Sequence, residues 1–361
     1  MRPFFLNAFI DLEAIGRNFK AMQQVVGENV ECAAVVKANA YGLGDSTVSE
    51  KLYDIGCRNF WVAYSMEAER IRKVLPLDAK IYFLHGFQEF DINLFKNQGI
   101  IPVINSIDEF SIIKKKGINF VLHVDTGLSR IGLSEHDLDC ILCDLKTEKI
   151  DYVISHFACS DEKFNKLNDI QKEKFDRILH KIRSIVDVKS SVSASCSTLL
   201  DRKYHYDAVR IGAFLYGIKS GKCPIPENVF SLKAKVLQTY EIEPGTSVGY
   251  GATFIAKRKT KISVVSIGYA DGLKRSLANK GCVLFYDDSD RHYKAPIIGN
   301  ISMDLTACDV TAVPENLTIH HADATILSKD YSINDMAIDA STIPYEILTS
   351  FSHSQHTGQY E

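Results

Sequence analysis

Between residues 31 and 212, short runs of β-branched and apolar residues alternate with longer, charged segments, and the alternation repeats eight times. The runs occupy 31–36, 59–63, 80–84, 100–104, 119–124, 151–156, 190–194 and 207–211. Around them, segments such as 13–26, 65–74, 107–116, 135–145 and 161–186 place apolar residues at spacings of three and four, the period of a helix with one buried face. Consecutive parallel strands need a crossover long enough to return the chain, and a helix supplies it. Eight strand–helix units therefore predict an α/β fold whose parallel sheet closes into a (β/α)8 barrel of the TIM type, with an open doubly wound sheet as the alternative.

The period changes after about residue 230. VFSLKAKVLQTY, TKISVVSIGYA, GCVLFY, APIIGNISMDLTACDV and ATILS are β-rich and punctuated by turn signals such as Pro244-Gly245 and Asp271-Gly272. These segments predict a second, mostly antiparallel β domain, and a chain of 361 residues is longer than one core usually supports. The expected division is a barrel over 10–228 and a β-rich domain over 229–361. Residues 1–9, which have strand character ahead of the first barrel strand, are expected to pair with the β-rich domain.

Charge and composition exclude several partners. A formal net charge of −3, with no basic cluster larger than Lys114-Lys115-Lys116, offers no field for nucleic acid or an anionic membrane surface. No stretch approaches the ~20 apolar residues that a membrane helix needs. Nine scattered cysteines and a beginning without a signal-type apolar block point to the cytoplasm. Cys140 and Cys143 are a lone pair at metal-like spacing, and His320-His321 has no third ligand near it, so no metal is expected.

Barrel enzymes carry their chemistry just beyond the C-terminal ends of the strands. There the first strand reaches Lys37, followed by Ala38-Asn39-Ala40-Tyr41-Gly42. A lysine in that place either snorkels to the rim or serves as a nucleophilic amine whose pKa falls on partial desolvation. The fifth strand leads through Asp125-Thr126-Gly127 to Arg130, and the sixth ends at His156. The seventh and eighth offer Ser195 and Arg210-Ile211-Gly212-Ala213, where barrels commonly build a phosphate cradle.

VVKANAYGLG closely resembles the cofactor-attachment segment of alanine racemases, VVKANAYGHG in the family pattern. HVDTGLSR is similar to the family's VDTGMGR, SHFA to THFA, and IPYEIL to TINYEVL. VGYGATF, IGYADG and GNISMD follow in family order, so the resemblance runs from about residue 6 to 349. It implies a pyridoxal 5'-phosphate enzyme that interconverts L- and D-alanine, to make D-alanine for cell wall or to consume it. Lys37 is then the attachment lysine and one catalytic base. Tyr41, Ser195, Gly212, Ala213 and Tyr345 hold the phosphate, and His156 lies against the ring. Arg130 stands near the substrate carboxylate. Arg210 faces the pyridine nitrogen, where an always-protonated guanidinium donates a hydrogen bond without giving up its proton, which weakens the electron sink. The resemblance also implies a homodimer in which Tyr250, the second base, and Tyr269, Met303 and Asp304 complete the partner's site.

Three positions depart from the family. His123 stands where many relatives carry a carbamylated lysine that holds the arginine corresponding to Arg130, so a bound anion or a nearby carboxylate is expected to orient Arg130 instead. Ala194 replaces the usual asparagine before the serine, and the tail FSHSQHTGQYE lacks an arginine. Among rivals, a non-catalytic pyridoxal-phosphate carrier would lack the motifs around Tyr250 and Met303. A related decarboxylase of basic amino acids would carry an acidic residue in place of Arg210. A racemase of broader specificity, on serine for instance, shares every motif.

Overall fold

The computed structural model describes residues 5–221, 224–351 and 357–360. Its first half is a ring of eight parallel strands, Glu31–Val35, Asn59–Val62, Lys80–Phe83, Ile100–Ile104, Phe120–His123, Ile150–Ile154, Lys189–Ser191 and Ala208–Ile211. Each pairs with its predecessor up to the seventh, and the eighth pairs with the first. The remaining gap, between seventh and eighth, is joined by a parallel bridge from Ala194 to Arg210. The ring is the expected barrel, not the open sheet.

Helices clothe the ring because each has one apolar stripe to bury. Leu12–Val26 buries Ala14, Ile15, Phe19, Met22 and Val26, starts where Asp11 accepts from the Ala14 N–H, and ends at Gly27 with φ of 79°. Caps also decide where sequence periodicity misleads. The segment expected to be helical from 161 becomes so only at Lys166, because Asn165 caps Leu167 and Asn168 ties down the carbonyls of Cys159 and Glu162. The freed loop puts Ser160 at the barrel mouth. Likewise 107–116 stops at Ile113, since Lys115 takes a φ of 60° that no helix continues through.

Inside the ring, Trp61 stacks on Tyr82 with centroids 4.4 Å apart, and Tyr152 meets both edge-on. The hydroxyls of Tyr82 and Tyr152 reach Asp151 and Glu31 near the opposite end of the barrel. Aromatic side chains thus fill the interior, and the open space is confined to the C-terminal mouth.

The second half is built on the long strand Phe230–Ile242, which pairs antiparallel with Leu6–Ile10, Thr260–Val265 and Asp323–Leu327. Cys282–Tyr286, His292–Pro296 and Thr306–Asp309 extend this mostly antiparallel sheet, and Thr357–Tyr360 lies parallel to Leu6–Ile10. The opening strand therefore belongs to the sheet formed by the chain's last third. Pro344–Ser350 then packs back onto the segment after the first barrel strand and delivers Tyr345 to the mouth. Among the described residues no helix is long and apolar enough to cross a membrane.

Candidate active site

A cavity of about 620 Å³ opens at the C-terminal mouth of the barrel. Lys37, Tyr41, Arg130, His156, Ser195, Arg210, Gly212, Ala213 and Tyr345 all line it, together with Trp61 and His123. Lys37 and Tyr345, 308 residues apart in sequence, meet here because the eight strands end on one face.

The chain leaves the first strand through an unusual turn. Ala38, Asn39, Ala40 and Tyr41 have φ values of 53°, 55°, 52° and 57°, a left-handed turn of four residues that are not glycine. Each such residue costs roughly 1–2 kcal/mol, so the surroundings must hold the turn. Glu67, almost fully buried, does so: Oε1 accepts from the Ala38 N–H at 2.7 Å, and Oε2 accepts from those of Ala63 at 2.7 Å and Tyr64 at 3.2 Å. The turn aims Lys37 into the mouth and drops Tyr41 into the core beside Tyr216, ring centroids 4.6 Å apart. Burial, seconded by the Arg130 charge, lowers the Lys37 pKa, while Glu67 opposes the fall. A lysine in that setting holds more of its nucleophilic free amine near neutral pH.

Arg210 is buried and tightly held. Nη1 donates to the carbonyl and hydroxyl of Ser191, each at 2.7 Å, and Nη2 to the Ser155 carbonyl at 2.6 Å. Its guanidinium sits 5.5 Å from the Trp61 ring centroid, a cation–π distance. Burial and Arg130 lower its pKa to about 10, which still leaves it protonated at neutral pH. His156 is pushed down to about 3 by burial and by Arg210, Arg130 and Lys37, so its ring is neutral.

One wall is shaped for an anion. The Ser195 hydroxyl accepts from the N–H groups of Gly212 and Phe214, each at 3.2 Å, which gathers the start of the short helix Ala213–Tyr216 beside it. A Cβ on Gly212 would come within 2.7 Å of the Tyr41 hydroxyl, so glycine keeps this corner open. Burial raises Tyr41 and pushes Tyr345 up to about 12, leaving both as neutral donors. A buried orphan, the indole N–H of Trp61, lies in the same cavity without a hydrogen-bond partner among the described residues. A cation-rich, amine-bearing pocket with a donor-lined corner suits a flat, phosphorylated carbonyl compound.

Of the two groups expected to orient Arg130, a bound anion or a nearby carboxylate, the second is absent among the described residues. No carboxylate of a described residue lies within ion-pair distance of Arg130. Asp125, five residues upstream, is committed to its own loop, accepting from the N–H groups of Gly127, Leu128 and Ser129 at 3.0, 3.1 and 3.1 Å. Nearby carboxylates are therefore not what orients Arg130.

Tyr250, Tyr269, Met303 and Asp304 do not line the cavity of their own chain. They sit on three loops of the second sheet that lie backbone against backbone. A Cβ on Gly268 would meet the Met303 carbonyl at 2.1 Å, and one on Gly299 the Val248 carbonyl at 2.5 Å. The glycines of the three motifs are thus where the loops touch. On this cluster Tyr250 is 74% exposed and Met303 54%, unusual for large apolar side chains. Elsewhere, Cys140 and Cys143 are exposed free thiols, and His320 bonds the Leu237 carbonyl with His321 packed against it. No group of three or more metal-ligating side chains forms among the described residues.

Sequence reasoning had not singled out Glu67, Asn105 or Trp61. Asn105 follows directly on the fourth strand, and Lys37 and His156 likewise stand within two residues of their strand ends, so the strand-end rule could have found it. The bonds of Glu67 to Ala63 and Tyr64 belong to the capping box of its own helix, but its bond to Ala38 leaves no local pattern.

Comparison with known proteins gives one answer. The family model described as the alanine racemase N-terminal domain matches residues 10–220, and the one for the C-terminal domain matches 229–357. An alanine racemase of Brucella abortus (strain 2308) is 36% identical over 366 residues, covering 94% of this chain and 90% of its own. The crystal structure of the Bartonella henselae alanine racemase with covalently bound pyridoxal phosphate superposes with a TM-score of 0.91 at 34% identity, over 99% of this chain and all of that one. The biosynthetic alanine racemase of Pseudomonas aeruginosa gives 0.90 at 30% identity, over the full length of both. By fold, by motif order and by likeness over nearly its whole length, the chain belongs to the alanine racemase family.

Proposed function

We propose that this chain is a pyridoxal-phosphate-dependent racemase that interconverts L-alanine and D-alanine with two bases drawn from two copies of the chain. The observation that carries the reading is the mouth cavity itself. It gathers an amine of lowered pKa, two arginines and a donor-lined corner, while Tyr250 stays outside its own cavity, on an exposed loop cluster.

The cofactor fits that cavity. Lys37 would hold it covalently, Tyr41, Ser195, Gly212, Ala213 and Tyr345 would hold its phosphate, His156 would flank its ring and Arg210 would face its ring nitrogen. When bound, it withdraws electrons from the substrate's α-carbon and so acidifies the hydrogen there. The residues of the chain do the rest. Arg130 binds the carboxylate of alanine, with Tyr269 and Met303 of a second copy closing the substrate pocket. Lys37 Nζ takes or returns the proton on one face, and the Tyr250 hydroxyl of the second copy does so on the other. Two bases on opposite faces invert the centre without turning the substrate over. Arg210 keeps its proton and would only donate a hydrogen bond to the ring nitrogen, which would make the cofactor a weaker electron sink.

The reading includes a homodimer, because each cavity lacks its second base until another copy covers it. It also includes a cytoplasmic location, which the free thiols of the described cysteines support. Whether the D-alanine feeds the cell wall or is consumed, the reaction is the same.

The test is L-alanine in deuterated water with chiral analysis. Both enantiomers should appear at equal concentrations, with deuterium at the α-carbon of each. A protein that binds pyridoxal phosphate yet leaves L-alanine unlabelled would refute the reading.

A further inference from the structure

The fourth and fifth barrel strands end on a side-chain pair with a fixed sense. Asn105 Nδ2 donates to the carbonyls of Leu84 and Val103, each at 3.1 Å. Carbonyls only accept, so the amide nitrogen must lie on that side and Oδ1 on the other. Oδ1 is 2.8 Å from His123 Nδ1. An amide oxygen only accepts, so Nδ1 carries the hydrogen. Arg210, Arg130 and His85 face the imidazole as like charges, and Asp125 is the opposing one. Burial and the two arginines outweigh Asp125 and push the ring down to about 3. The neutral ring, with its hydrogen on Nδ1, has a lone pair on Nε2, and no described residue donates to it. Arg130 shares the cavity with His123 and has no hydrogen bond to any described residue.

We propose that His123 is the positioning residue for Arg130: when substrate is bound its Nε2 accepts a hydrogen bond from the guanidinium, a bond not formed in this structure, and Asn105 locks the tautomer that makes this possible. The histidine then supplies by a lone pair what a carboxylate would supply by charge. A neutral acceptor leaves Arg130 with its full positive charge for the substrate carboxylate, and Asn105 is part of the device as much as His123. The inference rests on the reading of Arg130 as the substrate's carboxylate ligand.

The experiment compares alanine KM and kcat for the holoenzyme and four variants. Arg130→Ala tests the underlying reading: an unchanged KM would sink it. With that reading secure, His123→Leu, which fills the space without an acceptor, should raise KM about tenfold, the worth of one hydrogen bond to a charged group. His123→Gln, which can return a carbonyl acceptor, should restore KM to within about threefold of wild type. Asn105→Asp supplies the readout that a space-filling role cannot move. A carboxylate at Nδ1 favours the protonated ring, and a protonated ring has two donors and no acceptor. KM in Asn105→Asp should therefore climb as pH falls from 8 to 6 in a way the wild type does not show. A His123→Leu KM within twofold of wild type, or an Asn105→Asp pH profile parallel to wild type, would overturn the proposal. So would a wild-type KM that falls with added chloride, since an inorganic anion would then be holding Arg130.

Discussion

Lys37→Ala is expected to lose racemisation by at least about 10,000-fold, because one substitution removes both the covalent attachment point and one base. The fold should survive. Lys37 is held at lowered pKa mainly by burial, so its ammonium form is the costly one and alanine relieves that cost. The relief has a pH signature in cofactor-free protein. A lysine whose folded pKa lies below its unfolded value of about 10.4 binds fewer protons folded than unfolded across that window. Wild-type stability should accordingly rise with pH from the lowered pKa up to the unfolded one, and Lys37→Ala should lack this increment. Thermal unfolding of both proteins across pH 7 to 10 measures the difference. A Lys37→Ala protein that is unfolded at pH 8 would contradict the placement of this lysine as a strained functional group on an intact frame.

Tyr250→Phe carries the second large effect, and its form matters more than its size. Loss of one general acid–base group should slow racemisation by about 100- to 10,000-fold. Lys37 remains, so exchange of the α-hydrogen with solvent deuterium should persist for one enantiomer, with retained configuration. Wild type labels both enantiomers, and Lys37→Ala labels neither. Chiral chromatography with mass detection reads all three outcomes. Equal slowing of exchange for both enantiomers in Tyr250→Phe would show that the tyrosine shapes the site and does not transfer the proton. Stability should hardly change, since Tyr250 is 74% exposed on its own chain.

Much of this frame was visible in the residues because the two halves obey different periods. Strands buried on both faces read as unbroken apolar runs such as Ile100–Ile104, and the segments around them read at three and four. Lys37, Arg130 and His156 could be picked out because polar residues stand beyond such strands, and Arg210 because a charge sits inside the last one, Ala208–Ile211. Helix starts were less legible: Asn165 overrides the periodicity of residues 161–165 with a cap. The left-handed turn at 38–41 was not legible at all. Alanine and tyrosine do not announce positive φ, the one asparagine among them is a weak signal, and it is the Glu67 carboxylate, from another helix, that holds the turn. Of the two expected partners of Arg130, a bound anion or a nearby carboxylate, the carboxylate is missing among the described residues for a related reason. Asp125 is near in sequence but already satisfied by three backbone N–H groups, while the acceptor proposed above, His123, owes its sense to Asn105 at the end of a neighbouring strand.

The central claim is that each working site needs Lys37 from one chain and Tyr250 from another, and mixing the two inactive variants tests it most directly. Lys37→Ala and Tyr250→Phe chains, co-expressed or refolded together in equal amounts, pair at random. Half of the dimers are then mixed, and each mixed dimer has one site with both bases intact and one with neither. About one quarter of wild-type activity should return. Activity that stays at the level of the separate variants would mean that both bases come from the same chain, and the two-chain site would be wrong.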